Sequence, residues 1–170
     1  EYMISVAVIG GGASGMAFAV ALKQKRPDIE VAVFEKNPKV LKKILVTGNG
    51  RCNILNFDAV AENYFEACEF VRPAVEKYTP NKTEAIFRDM GLLLMSEQEG
   101  RAYPISQTAA SVVCVLSSAA ERAGVKVFTD TPVKSIKKSQ GGFVINNDKS
   151  FNFAVIACGG AAAPKQGTDG

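Results

Sequence analysis

The 170 residues contain no histidine and no tryptophan, and aromatic side chains make up only 8%. Without histidine there is no Ser-His-Asp or Cys-His nucleophile, no histidine-containing zinc site and no side chain that titrates unperturbed near neutral pH. Cysteine is sparse as well. Cys52, Cys68, Cys114 and Cys158 lie far apart with no C-x-x-C spacing, so a zinc ribbon and a thioredoxin-type dithiol are both excluded. No metal site is expected, and reduced thiols predict a cytoplasmic protein. The most apolar stretch, residues 112–120, is too short for a membrane span, and residues 1–5 carry no basic leader. Charge of one sign is also lacking. Twenty Lys and Arg against seventeen Asp and Glu leave +3, too small an excess to argue for a nucleic-acid partner.

What is present fits a globular chain: 47% hydrophobic and 22% charged residues lie far from the composition of disordered segments. A chain of this length buries enough surface for one domain, or one domain with an insertion. Residues 4–9 form a nearly continuous apolar run rich in β-branched residues, followed by three glycines, which predicts a strand buried on both faces. Residues 13–26 then predict a helix closed by Pro27-Asp28, and residues 31–34 a second buried strand, giving one parallel β-α-β unit.

Residues 36–57 read as irregular, with four lysines between 36 and 43, the Gly48-Asn49-Gly50 turn and a short helix near 40–44. Asp58 is expected to cap a helix through Cys68, and Arg72-Pro73 to break it before 74–78. Asn81 and Glu84 resemble a capping box for a helix that Gly91 stops. Residues 92–95 and 101–104 predict a hairpin. Ser106 is expected to start a long helix to Ala123, followed by a strand at 125–128. Residues 133–138, 143–145 and 151–153 predict an antiparallel meander, and the apolar run 154–158, ending in Gly159-Gly160, returns to the parallel sheet.

Gly10, Gly12 and Gly15 form G-x-G-x-x-G where the first strand meets the first helix. Gly10 permits the tight turn, Gly12 lets backbone approach a pyrophosphate, and Gly15 lets helix and strand pack closely. The amides near Ala13 and Ser14, with the positive end of the helix dipole, favour a phosphate anion. Glu35, twenty residues beyond Gly15, ends the second strand. There a carboxylate can accept hydrogen bonds from adenosine ribose hydroxyls and repel a 2′-phosphate, which favours FAD or NAD over NADP. A ligand-free turn and a solvated glutamate use the same residues, so both plain readings stand beside these.

About ninety residues separate Glu35 from the strand at Val125, which a plain NAD domain leaves unexplained. The interrupted layout resembles an FAD domain of the glutathione-reductase type, with the meander over the adenine side. Val133, after Thr131-Pro132, occupies the position whose backbone reads adenine in that class. An ordinary strand valine is the alternative. Two other functions stay open: an NAD-dependent dehydrogenase domain, and a non-catalytic dinucleotide- or nucleic-acid-binding module whose lysine-rich loop contacts phosphates.

Residues 42–53, Lys42-Lys43-Ile44-Leu45-Val46-Thr47-Gly48-Asn49-Gly50-Arg51-Cys52-Asn53, resemble the YhiN/BaiN-like (aminoacetone-oxidase-like) family of FAD-dependent flavoproteins. The resemblance runs from Ile4 onward, including Gly100-Arg101-Ala102-Tyr103-Pro104, Thr131-Pro132-Val133 and Ala157-Cys158-Gly159-Gly160. Asn49 stands where glycine is common and Cys158 where threonine is usual. The likeness implies an α/β fold, a truncated Rossmann-like FAD-binding domain of parallel sheet, helices and antiparallel meander. Residues 1–170 are then expected to be the N-terminal part of a longer flavoprotein, with a helical insertion at about 54–105 and the substrate domain outside the chain.

The implied function is hydride transfer through flavin N5 by an FAD-dependent oxidoreductase. Its partners would be a small-molecule substrate and a compatible nicotinamide cofactor, with neither membrane nor nucleic acid. The cofactor set is Gly10, Gly12, Ala13, Ser14, Gly15, Glu35, Lys36, Lys43, Gly48, Asn49, Gly50, Arg51, Cys52, Asn53, Val133 and Gly159. Gly48, Asn49 and Gly50 are expected to turn backbone amides toward an anion or flavin edge, while Arg51 and Lys43 supply positive charge. Cys52, with no histidine to activate it, reads as a packed or loop-orienting residue. No side chain is assigned a catalytic role.

Overall fold

The computed structural model describes residues 3–160; residues 161–170, expected to be a loop, lie outside them. The elements in chain order are β1 (Ser5–Ile9), α1 (Ala13–Lys25), β2 (Glu30–Phe34), β3 (Leu55–Asn56), α2 (Cys68–Lys77), α3 (Pro80–Asp89), β4 (Leu94–Ser96) and β5 (Arg101–Pro104). They continue with α4 (Ala109–Arg122), β6 (Lys126–Phe128), β7 (Ile136–Ser139), β8 (Gly142–Ile145), β9 (Lys149–Phe151) and β10 (Phe153–Ile156). Two compact units result, one of residues up to Ile44 together with those from Leu116, the other Leu45–Val115.

The first unit holds a parallel sheet in the order β10-β1-β2-β6, with Val8 opposite both Val33 and Val155. Side chains alternate across a strand, so Val6, Val8, Val31 and Val33 share one face and Ala7, Ile9, Ala32 and Phe34 the other. Ile145 and Phe151 of the β7-β8-β9 meander pack on that second face, with Phe128 and Val133 against the same cluster. Phe34 stacks on Phe128 and meets Phe151 edge-on. Helix α1 lies along β1 and β2 and buries Met16, Ala19 and Val20. Fully burying a valine such as Val8 or Val33 contributes roughly 1.5 kcal/mol or more, so these strands are the unit's anchor. The helix ends where Arg26 donates its amide to Leu22 and Pro27 follows, while Lys23 Nζ donates to the Pro27 and Ile29 carbonyls.

The second unit holds the antiparallel sheet β3-β5-β4 together with α2 and α3. Several sequence expectations shift here. Pro73 does not break a helix, because α2 begins only at Cys68 and runs through the proline. One ladder bond is lost, and Arg72 reaches Glu69 on one side of it and Glu76 on the other. Residues 61–67 are a 3-10 segment that replaces the helix expected from Asp58. Helix α3 starts at Pro80 behind Thr79, since a proline at the first helical position needs no amide donor, and the Asn81 capping box does not form. Helix α4 starts at Ala109 rather than Ser106 because Gln107 has φ +57°, a left-handed step that no helix continues through. Val133 lies outside the meander strands, since β7 begins only at Ile136.

Candidate functional site

Four glycines stand at or near the start of α1, and three are explained by the protein itself. Gly10 has φ +110°, and a Cβ there would stand 2.5 Å from the Ala157 carbonyl oxygen at the end of β10. A Cβ on Gly15 would collide with the Gly10 carbonyl oxygen, and one on Gly11 would meet Val40 and Glu35. Gly12 differs. Its backbone, at φ −77° and ψ −174°, suits any L-residue, and nothing lies within 4 Å of where its Cβ would be. Neither conformation nor packing requires glycine at this position. That space is open to a ligand.

The amides beside it are correctly placed for such a ligand. Helix α1 has no side-chain cap and no acidic residue in its first turn. Its first intrahelical bond runs from the Met16 amide to the Gly12 carbonyl. The amides before Met16 therefore lack helical acceptors, and Ala13 and Ser14 are exposed. An anion here would meet both donors and the positive end of the helix dipole.

Glu35 is buried, with 8% exposure, and its carboxylate is already engaged. Oε2 accepts the Gly11 amide at 2.8 Å, and Oε1 accepts the Asn37 amide at 2.8 Å and the Asn37 side-chain amide at 2.6 Å. A carboxylate offers about four lone-pair directions, so one on Oε2 remains for a ribose hydroxyl. The sequence assigned Glu35 only the ribose. It missed that Gly11 and Asn37 bind the same acid, although a third consecutive glycine and an Asn-Pro step were visible signals.

The Glu35 main chain also reaches the segment that leads to Val133. Its carbonyl accepts the Thr131 amide at 2.9 Å, and the Asn37 carbonyl accepts the Asp130 amide at 3.1 Å. The glycine turn, the acid and the segment leading to Val133 are thus linked by consecutive hydrogen bonds. Gly159, with φ +75°, follows β10 at the carboxyl end of the sheet, the end that carries the glycine turn. Lys36, Lys39, Lys42 and Lys43 are exposed.

In the second unit, residues 48–53 form a tight loop in which Gly48, Asn49, Gly50 and Cys52 all have positive φ. The Gly50 and Cys52 amides donate to the Thr47 carbonyl and the Arg51 amide to that of Gly48. These amides therefore close the loop on itself and do not face outward as an anion nest, which corrects the expectation for Gly50. Cys52 is buried at 5% exposure, as expected of a packed, loop-orienting residue. Arg51 is also differently employed than expected. Its guanidinium lies 3.9 Å from the Tyr103 ring centroid and donates to Glu97 at 2.9 Å and to Gln107 at 3.0 Å. Glu97 neutralises its charge, so the residue fixes the loop against the hairpin. Sequence reasoning could not pair positions 46 residues apart. Asn53 makes no hydrogen bond among the described residues. No cluster of three or more Cys, Asp or Glu is arranged around a cation among them.

A parallel sheet whose first strand passes through G-x-G-x-x-G into a helix, with an acid ending the second strand, defines a Rossmann-like domain. The chain belongs to the family of the HI0933-like protein Rossmann domain, whose model matches residues 4–170. It is 38% identical over 172 residues to the 3-dehydro-bile acid delta(4,6)-reductase of Clostridium scindens, covering 99% of this chain and 42% of that protein. It is 25% identical to the ribosomal RNA dihydrouridine synthase of Haemophilus influenzae, covering 94% of this chain and 41% of that protein. The chain thus spans about two fifths of the curated relatives it matches. Among solved structures, THI4 of Thermovibrio ammonificans shares the fold with a TM-score of 0.53 at 17% identity, covering 84% of this chain and 45% of that one. CtdE, solved in complex with FAD, shares it with a TM-score of 0.50 at 16% identity, covering 98% and 41%. The resemblance read from residues 42–53 and the Rossmann-like fold class are both borne out.

Proposed function

We propose that this chain is the FAD-binding portion of a flavin-dependent oxidoreductase. The observation that carries the reading is Gly12, a glycine with no structural reason to be one beside unpaired helix amides. In this reading the amides of Gly12, Ala13 and Ser14 hold the pyrophosphate, and Gly10 and Gly15 let the turn close around it. Glu35 takes a ribose hydroxyl on its remaining lone pair, and Val133 faces the base. Lys36 and Lys43 balance phosphate charge, and Gly159 lets the end of β10 approach the cofactor; the family resemblance, not the geometry, is what assigns residues 48–53 to the cofactor set. When bound, FAD supplies hydride transfer at N5.

The relatives' names narrow the chemistry. A 3-dehydro Δ4,6 steroid is a dienone, and making dihydrouridine saturates a ring C=C conjugated to a carbonyl. Both reactions therefore reduce a C=C bond in conjugation with a carbonyl, and we assign that class to the intact protein. A nicotinamide cofactor is the compatible electron donor. A small molecule is the favoured substrate; the RNA-directed relative and the exposed Lys39, Lys42 and Lys43 support a nucleic-acid substrate as the second reading.

Among the described residues no helix is long and apolar enough to cross a membrane, and all four cysteines are free. The free thiols support a reducing, cytoplasmic location. The test is the visible spectrum of the intact protein as purified, with identification of the released cofactor. FAD is expected. A released NAD, or a colourless protein that binds RNA in a salt-sensitive way without turnover, rejects the reading.

A further inference from the structure

The turn between β8 and β9 carries a side chain that the function above leaves unused. Asn146 has φ +53° and donates its amide to the Ser135 carbonyl at 2.9 Å. Its side chain grips the segment before β7 on both sides of Val133. Oδ1 accepts the Lys134 amide at 2.7 Å and the Ser135 amide at 3.3 Å, and Nδ2 donates to the Pro132 carbonyl at 2.9 Å. Upstream, Thr131 is tied to the Glu35 carbonyl. The Val133 side chain packs on the Phe34 cluster.

Each neighbour of Val133 is therefore committed, yet Val133 itself makes no hydrogen bond among the described residues. Its backbone donor and acceptor are thus left open inside a pinned segment, between the exposed Pro132 and Lys134. We infer that Asn146 is a positioning residue for base recognition, locking the Val133 amide and carbonyl as an adjacent donor and acceptor. The complementary edge is an acceptor nitrogen beside an exocyclic amino group, as in adenine. A hypoxanthine or guanine edge presents the reverse pattern, donor against donor and acceptor against acceptor.

This rests on the FAD-binding reading, and the test separates the two. In the intact apoprotein, FAD affinity is measured directly and ADP and IDP are compared as competitors. The native protein is expected to prefer ADP by about tenfold or more, since two hydrogen bonds reverse together. Asn146→Gly keeps the left-handed turn but removes the clamp. It is expected to shrink the ADP-over-IDP ratio to about twofold and to weaken FAD several-fold. Asn146→Asp keeps the oxygen that accepts the Lys134 and Ser135 amides, and an intermediate ratio is expected.

No FAD binding by the native protein defeats the parent reading. FAD binding with equal ADP and IDP competition overturns base recognition by Val133. An unchanged ratio in folded Asn146→Gly overturns the role of Asn146. If that variant fails to fold, an unchanged ratio in Asn146→Asp does the same.

Discussion

Gly12 and Gly50 both face open space where a side chain would stand, but they do so under different constraints. Gly50 sits at φ +82°, a conformation that L-residues disfavour, so the backbone of its loop explains it. Gly12 sits at φ −77°, where alanine or serine would be at ease. The contrast separates a glycine that shapes the chain from one that makes room for something else. It also separates the two loops. Residues 10–15 leave amides unpaired at a helix start, whereas residues 48–53 spend amides on their own closure and the Arg51 charge on Glu97.

The sharpest way to break this comparison is to fill the open position at the first turn and, separately, the closed position at Gly15. Gly12→Val is expected to leave the domain folded and to weaken FAD retention by roughly 100-fold or more, because its branched side chain enters the diphosphate path. Unchanged flavin content in a folded variant would remove the basis of the placement. Gly15→Ala should do the opposite. Its methyl group meets the Gly10 carbonyl, so roughly 1–3 kcal/mol of stability is lost by overpacking, read as a lower denaturant midpoint before any cofactor is added.

Glu35→Ala comes next, since it strips partners from the Gly11 and Asn37 amides and the ribose together. An affinity loss of about tenfold is expected, with stability lower by about 1–3 kcal/mol if those donors stay dry. Glu35→Gln should recover only part of it, because a single carboxamide oxygen cannot accept on both sides. Full recovery of both readouts would show that the paired acceptor geometry does not matter.

Arg51 tests the second loop. If its work is to fix the loop, Arg51→Lys and Arg51→Ala should cost a similar, small stability of about 0.5–1 kcal/mol, because lysine lacks the planar fork for Glu97, Gln107 and the Tyr103 face. Complete rescue by lysine, in midpoint and flavin affinity, would return the residue to a charge-supplying role.

The smallest effect is electrostatic. The hydrogen bond from Arg26 holds the Asp28 carboxyl down to about 2, below its ordinary 3.8. A depressed carboxylate favours the folded state above the unfolded pKa and loses that favour as pH falls through the folded one. The contribution should therefore be complete above about pH 4 and vanish toward pH 2. The pair is exposed, so carboxyl-carbon NMR titration is the suitable readout; a midpoint at the ordinary value would remove the contact.

Most of the first unit could be read from the chain because its signals are local. Residues 4–9 and 31–34 are nearly continuous apolar runs rich in β-branched residues, and the glycines and Glu35 sit at fixed offsets around the helix between them. The meander was misplaced at both ends: Val133 is apolar like a strand residue but lies in a segment whose flanking residues are gripped by Asn146, and the third strand ends at Phe151, where the sequence reading had it begin. The second unit depended on single-residue conformations with little sequence signature, such as the left-handed Gln107 that delays α4. The two-residue β3 is too short for any pattern. Among candidate site residues, glycine spacing was readable, but the partners of Arg51 and Glu35 arise from tertiary contacts and turns.

The shared carboxylate of Glu35 has one more consequence. Because it ties Gly11 and Asn37 together within the fold, the ordering entropy of the turn is settled when the chain folds and not when a nucleotide arrives. Binding then resembles insertion into a finished socket, and much of the affinity change from damaging Glu35 should appear as faster release, with the association rate little altered.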